Sequence, residues 1–101
     1  MLYEISNSDL KVIISSKGAE PVSILYKGVE RLWQNENGSW DRHAPILFPH
    51  AGACSIVVDG KHYPDEFHGF ARNLQFDLVE QKISKITLVL KSFYETYKTY
   101  T

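Results

Sequence analysis

All four histidines of the chain lie in one stretch, from Trp40 to Arg72, among acidic and aromatic residues. Histidine can take up or release a proton near neutral pH, because its unperturbed pKa is roughly 6.5. The stretch could therefore serve a substrate that needs proton transfer or hydrogen bonds at polar atoms. His43, His50 and His62 also suit the commoner role of solvent-facing or hydrogen-bonded loop histidines.

His68 differs from the other histidines because of the residues that follow it, Gly69 and then Phe70-Ala71-Arg72. An imidazole is followed by a residue without a side chain and then by an apolar ring. Such a segment can bring its backbone close to a ligand while the ring anchors it in the core. A His-Gly pair alone also suits a purely structural position, so both roles stay open on these residues.

A metal site is a further possibility for the histidines and the single cysteine. His50 and Cys54 are spaced as His-x3-Cys, and His62 and His68 as His-x5-His. These spacings match no tight structural zinc pattern, so we expect no metal ion.

Charge and composition narrow the possible partners. Eleven basic and twelve acidic residues give a formal net charge of -1, without a block of lysine or arginine. We therefore expect neither nucleic acid nor a membrane as partner. No apolar run approaches the roughly 18 residues that span a bilayer. The single Cys54 forms no internal disulfide and suits a reducing cytosol, which favours a cytoplasmic protein.

Short alternating segments between turn residues predict an all-β fold. Glycine at Lys27-Gly28 and Asp59-Gly60 allows the positive φ that two-residue hairpin turns need, so each pair predicts a hairpin. Tyrosines three apart over 94–101 suit one helical turn. The predicted strands are 10–14, 19–26, 29–34, a short strand at 46–48 within the loop-rich stretch 35–49, 56–58, 61–63, 74–78 and 86–90.

The order of several motifs, each common by itself, resembles the aldose 1-epimerase or galactose mutarotase-like family, in its LacX-like branch. The motifs are Leu32-Trp33, Trp40, Ala44-Pro45-Ile46-Leu47-Phe48-Pro49 followed by Gly52, Asp59-Gly60-Lys61 with Tyr63, and His68-Gly69-Phe70-Ala71-Arg72 with Phe76. The resemblance covers nearly the whole chain. It implies an antiparallel β-sandwich, of which residues 1–101 are expected to be an N-terminal fragment.

Members of this family interconvert the α and β anomers of a free sugar without a metal or an organic cofactor. A general base takes the proton of the anomeric hydroxyl and a general acid protonates the ring oxygen. The ring opens, and closure on the other face reverses the two roles. The resemblance thus implies an isomerase of carbohydrate metabolism, with a small-molecule sugar or sugar phosphate as its partner.

The motifs also assign roles to single residues. His68 corresponds to the family's first active-site histidine, a catalytic position that hydrogen-bonds the sugar near the reacting centre. The second histidine and the glutamate base lie much further along, so we expect this chain to end before them and to be inactive alone. Relatives often carry an arginine where this chain has Ala53, and His50 or Arg72 could replace that contact. Substrate binding is accordingly assigned to Arg72, His50 and Trp40.

A non-enzymatic carbohydrate-binding or protein-interaction module is the alternative, with Trp33, Trp40, Tyr63 and Phe70 offering aromatic faces to sugar rings. Large aromatic residues more commonly fill the cores of small β domains. A sandwich cut after its early strands also exposes an unpaired edge, so we expect homo-oligomers through strand edges or poor solubility.

Overall fold

The computed structural model describes residues 1–48, 50–53, 56–58, 60–63 and 68–91. Within these ranges the chain forms antiparallel strands and one short 3₁₀ helix, and it contains no α-helix. No helix in the described ranges has the length and apolar character needed to cross a membrane. The all-β prediction is therefore confirmed.

The first sheet is an antiparallel meander. It consists of β1 (Leu2–Ser6), β2 (Leu10–Ser15), β3 (Glu20–Tyr26) and β4 (Val29–Glu30), paired in that order. The strands predicted at 10–14 and 19–26 are confirmed, whereas the edge strand β1 was not predicted. The register of β2 and β3 shifts because Ile13 pairs with Ser23 and Ile14 with Pro21, which leaves Val22 as the extra residue of a bulge.

The hairpin between β3 and β4 has the predicted two-residue turn. Lys27 and Gly28 have φ of 49° and 80°, as a turn matching the strand twist requires. The strand predicted over 29–34 is wrong beyond Glu30. There the Glu30 side chain, rather than the backbone of a neighbouring strand, accepts the hydrogen bonds. Glu30 Oε2 accepts the backbone N–H groups of Ile24 at 2.8 Å and Leu32 at 3.2 Å.

Glu30 also accepts a hydrogen bond from the Ser23 hydroxyl through its other carboxylate oxygen. This bond, together with the backbone N–H donors, holds the pKa of the Glu30 carboxyl below its ordinary value, although burial opposes the effect.

Two separate hairpins follow the meander. The first pairs β5 (Ile56–Val58) with β6 (Lys61–Tyr63), as predicted, although Asp59 of its turn lies outside the described residues. The second pairs β7 (Asp77–Lys82) with β8 (Lys85–Val89). The predicted strand pair at 74–78 and 86–90 is thus confirmed, but β7 begins later. Gln75 bridges Lys17 instead, and Phe76 N–H donates to Ser16 O at 2.8 Å.

The short strand predicted at Ile46–Phe48 is wrong. Phe48 makes only an isolated parallel bridge to Gly69, because its carbonyl is taken by the N–H groups of a tight turn rather than by a strand. The tyrosines of 94–101, whose spacing suits one helical turn, lie outside the described residues.

Burial is concentrated at the junction between the meander and the loops. Phe70 is 6% exposed and Ala71 2% exposed, and the polar residue Ser16, directly after β2, is 4% exposed. Ser16 receives a hydrogen bond from the terminal ammonium of Met1 and donates its own hydroxyl to Gln75 Oε1 at 2.8 Å. This serine therefore ties the β2–β3 turn to the start of the chain and to the segment before β7.

Candidate functional site

The candidate site is built from two stretches that lie side by side: Phe48 with residues 50–52, and residues 68–72. The carbonyl of Phe48 accepts the backbone N–H groups of Phe70 at 3.0 Å and Ala71 at 3.2 Å. The rings of Phe48 and Phe70 meet edge to face with their centroids 6.2 Å apart. Because Phe70 is buried, it anchors the His-Gly-Phe-Ala-Arg segment in the way that the sequence predicts.

His68 and Gly52 form a reciprocal pair. The backbone N–H of His68 donates to Gly52 O at 2.9 Å, and the backbone N–H of Gly52 donates to His68 Nδ1 at 2.7 Å. Since a backbone N–H can only donate, Nδ1 must be the unprotonated ring nitrogen. The neutral imidazole of His68 therefore carries its proton on Nε2.

His50 lies against the same glycine but with the opposite ring chemistry. Its Nδ1 is 3.2 Å from Gly52 O. A carbonyl oxygen only accepts, so Nδ1 of His50 is the donor, and Nε2 of its neutral ring is an acceptor. Both site histidines are half-buried. The structure thus brings the predicted residues His50 and His68 together at one peptide unit.

The backbone of this site is held in an uncommon conformation. Three of its residues have positive φ: Gly52 at 73°, His68 at 65° and Gly69 at 73°. Glycine accepts such angles easily, whereas a histidine pays for them in backbone strain. Backbone strain of this kind clusters at functional sites in proteins.

Arg72 lies in the 3₁₀ helix Ala71–Asn73, directly after the anchored ring. Arg42 is hydrogen-bonded to this helix at two points. Its Nη1 donates to Arg72 O at 2.7 Å, and its Nη2 donates to Asn73 Oδ1 at 2.6 Å. On another side Gly18 N–H donates to Leu74 O at 2.7 Å. The helix that carries Arg72 is therefore fixed on two sides, and sequence reasoning missed the role of Arg42.

Trp40 lies in a different contact group. Its ring stacks on Trp33 with centroids 6.0 Å apart and an interplanar angle of 29°, and the backbone N–H of Trp40 donates to Asn35 Oδ1. Trp40 is 45% exposed and Trp33 38% exposed. Among the described residues, its partners are Trp33 and Asn35 rather than either histidine of the site. The predicted sugar contact of Trp40 stays a prediction.

His43 belongs to a second polar pair that the sequence did not predict. The carboxylate of Glu20, which is 5% exposed, accepts the backbone N–H of His43 at 2.6 Å and its ring Nδ1–H at 3.2 Å. This pair fastens the loop after the tryptophans to the start of β3. It supports the structural role that is common for loop histidines.

His50, Cys54, His62 and His68 are residues whose types could bind a metal ion. Within the part of the chain that the structure describes, no group of three or more His, Cys, Asp and Glu side chains could hold a metal ion. Cys54 and the side chain of His62 lie outside the described residues.

Comparison with known proteins identifies relatives that are similar in sequence to this chain. The sequence is 34% identical to the plasmid-encoded LacX protein of Lactococcus lactis subsp. lactis over 111 aligned positions, which cover 99% of this chain and 36% of LacX. No family model matches the chain.

Solved structures show the same fold. The structure of a galactose mutarotase related enzyme from Lactobacillus acidophilus matches with a TM-score of 0.90 and 40% identity, over 99% of this chain and 35% of that one. A galactose mutarotase-like protein from Lactobacillus casei matches with a TM-score of 0.90 and 36% identity, over 98% of this chain and 35% of that one.

The chain therefore spans just over a third of the length of these relatives. Similarity along nearly all of its length, in sequence and in backbone, confirms the fold class and the resemblance noted in the motifs. The chain belongs to the galactose mutarotase-like family, in its LacX-like branch.

Proposed function

We propose that this chain carries the first sugar-contacting histidine of an aldose 1-epimerase-like site. The site serves a cytoplasmic protein that interconverts the α and β anomers of a hexose or hexose phosphate. The observation that carries the proposal is the hydrogen bond from Gly52 N–H to His68 Nδ1, because it makes Nε2–H the donor of the ring. Membership of the family supports it.

A donor at this position suits the chemistry of a cyclic sugar. The ring oxygen of a hemiacetal has lone pairs and no proton, so it can only accept a hydrogen bond. When the bond between C1 and the ring oxygen breaks, negative charge develops on that oxygen, and a positioned N–H stabilises it. A hydrogen bond from His68 therefore stabilises the ring oxygen of the closed sugar, and it stabilises the charged oxygen of the opening ring more strongly.

The two proton transfers are assigned to other groups. In the proposed reaction a glutamate takes the proton of the anomeric hydroxyl, and a second histidine protonates the ring oxygen as the bond breaks. Closure of the aldehyde on its other face returns both protons. We assign neither of these groups to a residue of this chain, so the chain alone is expected to bind sugar without turning it over.

Arg72 and His50 are proposed as further sugar contacts. Arg72 lies shortly after His68, within the short helix that Arg42 holds through Arg72 O, so its backbone position is well defined. A guanidinium is the side chain best suited to a phosphate, because it offers paired N–H donors and a permanent charge. Stronger binding of glucose 6-phosphate than of free glucose is the expected sign of this contact.

The test uses His68→Asn, which separates the roles of the two ring nitrogens. The Asn side-chain oxygen can accept from Gly52 near the position of Nδ1, and Asn tolerates positive φ, but nothing reaches the position of Nε2. We expect the fold to persist and the affinity for D-galactose to fall about tenfold, the worth of one hydrogen bond. Titration followed by NMR measures both. Unchanged affinity contradicts the proposal.

Polarimetry on freshly dissolved α-D-galactose tests the division of labour. The expected rate with this chain is the spontaneous rate in the same buffer. An enzymatic rate that His68→Asn abolishes contradicts the assignment of the proton-transferring groups to residues outside this chain.

A non-enzymatic carbohydrate-binding module is the second candidate, and the exposed stack of Trp33 on Trp40 favours it. Sugar rings bind aromatic faces through their C–H groups, and an exposed indole offers such a face. Trp40→Ala discriminates between the two functions. Loss of galactose affinity with unchanged stability supports the module, whereas loss of stability with unchanged affinity supports a purely structural stack.

A further inference from the structure

We infer that the exposed turn at Asn37-Gly38 is a site of spontaneous deamidation, and that Ser39 promotes the reaction by stabilising its oxyanion. Asn37 is the one asparagine of the sequence that is followed by glycine. Its conversion to aspartate or isoaspartate alters the loop that leads to Trp40. The reaction involves neither a sugar nor the histidines of the candidate site.

The reaction joins two neighbouring residues. The backbone nitrogen of Gly38 loses its proton to water and bonds to Cγ of the Asn37 side chain, which closes a succinimide ring. Because the two groups belong to adjacent residues, the attack is intramolecular. The bond between Cγ and Nδ2 breaks, and Nδ2 takes a proton from water and leaves as ammonia. A water molecule then opens the succinimide at either carbonyl, which gives aspartate or isoaspartate.

Ser39 supplies two donors to the oxygen that becomes negative during this attack. Its backbone N–H donates to Asn37 Oδ1 at 3.0 Å, and its hydroxyl donates to the same atom at 2.6 Å. A backbone N–H can only donate, so this atom is the amide oxygen rather than the amide nitrogen. When Gly38 attacks Cγ, charge develops on this oxygen, and donors held in place stabilise it.

The attacking nitrogen of Gly38 is accessible. The residues of the turn from Asn37 to Ser39 are exposed, and a Cβ placed on Gly38 would meet no atom within 4 Å. Glycine also lacks the side chain that would shield the nitrogen from the carboxamide. One hydrogen bond opposes the attack, from Gly38 N–H to Asn35 O at 3.1 Å. It lies in an exposed turn, where local opening requires little free energy.

The modification acts on the stack of Trp33 and Trp40. Asn35 closes the turn twice, because its carbonyl accepts from Gly38 N–H and its Oδ1 accepts the backbone N–H of Trp40 at 3.0 Å. Isoaspartate at position 37 places an additional methylene in the main chain between these two anchors. The chain path no longer fits both hydrogen bonds, so Trp40 moves relative to Trp33.

Ageing of the purified chain at neutral pH measures the reaction. Peptide mapping by mass spectrometry locates the change of amide to carboxyl, and isoaspartyl methyltransferase detects isoaspartate. We expect Asn37 to react clearly faster than Asn7, the matched internal control. Asn7 Oδ1 also accepts two backbone N–H groups, at 2.9 Å and 2.8 Å, but Ser8 stands in place of the glycine. An equal or slower rate at Asn37 overturns the inference.

Ser39→Ala isolates the hydroxyl donor. The variant keeps Gly38 and the backbone N–H of position 39, so we expect deamidation at Asn37 to slow about fivefold, the effect of one hydrogen bond. The control is the same pair of chains unfolded in urea, where the donors are no longer held and both chains should react alike. An unchanged rate in the folded variant, or an equal slowing in urea, overturns the role of Ser39.

Tryptophan emission separates the change of backbone from the change of charge. Asn37→Asp adds the same negative charge without the additional methylene. We expect the purified isoaspartate form to differ in emission from the unaltered chain, and Asn37→Asp to stay close to it. Identical emission from all three forms would show that the turn does not position Trp40.

Discussion

The meander β1–β4 and the clasped loops, defined as Phe48, residues 50–52 and residues 68–76, are stabilised in different ways. The meander has a repeating ladder of backbone hydrogen bonds between strands that are neighbours in sequence. The clasped loops have almost no ladder and depend on a few contacts between distant residues. They nevertheless contain the most buried apolar residues of the described chain, Phe70 and Ala71.

The difference explains where a site can be built. In the meander, each strand residue repeats the geometry of its neighbour, so few backbone groups are left to position a side chain. In the clasped loops, one glycine uses its N–H and its carbonyl on two different histidines. The buried ring of Phe70 holds that geometry in place. The following substitutions test this contrast between the two regions.

Phe70→Ala is expected to have the largest effect. Removing a buried phenyl ring costs about 3–5 kcal/mol, and Phe70 is 6% exposed. The control is Phe48→Ala, which removes the other ring of the same contact but starts from 50% exposure, so its cost should be clearly smaller. Urea unfolding measures both. Equal costs would mean that the clasped loops are not organised around Phe70.

Gly18→Ala tests the junction between the two regions. A Cβ at Gly18 would lie 2.7 Å from Arg72 O, and the φ of Gly18 is 72°. Gly28→Ala is the matched control, because its φ is 80° but its Cβ would meet no atom within 4 Å. We expect about 1–2 kcal/mol for the control from backbone strain alone, and about 1–3 kcal/mol more for Gly18→Ala from the clash.

These two costs are compared as changes in the free energy of unfolding. A cost for Gly18→Ala no larger than that for Gly28→Ala would show that the turn before β3 does not press on the helix of Arg72.

Glu30→Gln tests a carboxylate within the meander and should have the smallest effect. The folded pKa of Glu30 is lowered, so the unfolded chain binds its proton more readily. Its stabilising contribution is present above the unfolded pKa and is lost as the pH falls through the lower folded pKa. We expect the variant to lose this part of the acid dependence. Ser23→Ala, which removes the leading hydrogen bond, should lose part of it.

Unfolding midpoints in urea at a series of acidic pH values measure this effect. An acid dependence that is the same in the unaltered chain and in Glu30→Gln contradicts the assignment.

The meander was largely predictable because its signals are local. Alternation over Leu10–Ile14 and the glycine of Lys27-Gly28 each act within a few residues, and both predictions are confirmed. The end of β4 was not predictable, because the Glu30 side chain takes over the acceptor role of a strand. The edge strand β1 has little alternation of its own and forms by pairing with β2.

The site was predictable in part. The apolar anchor after His68-Gly69 was visible in the sequence, and Phe70 is buried as that pattern implies. The opposite tautomers were not visible, because they depend on the position of Gly52 beside a residue 16 positions later. The grip of Arg42 on Arg72 O spans 30 positions and likewise leaves no local signal.

The most direct test of the central claim is the Nε2–H resonance of His68 during addition of D-galactose, with galactitol as control. Galactitol has the hydroxyl groups of the sugar but no hemiacetal and no ring oxygen. We predict that galactose shifts the resonance in a saturable manner and that galactitol leaves it in place. A resonance that responds to both compounds equally, or to neither, would contradict the claim that His68 binds the sugar ring.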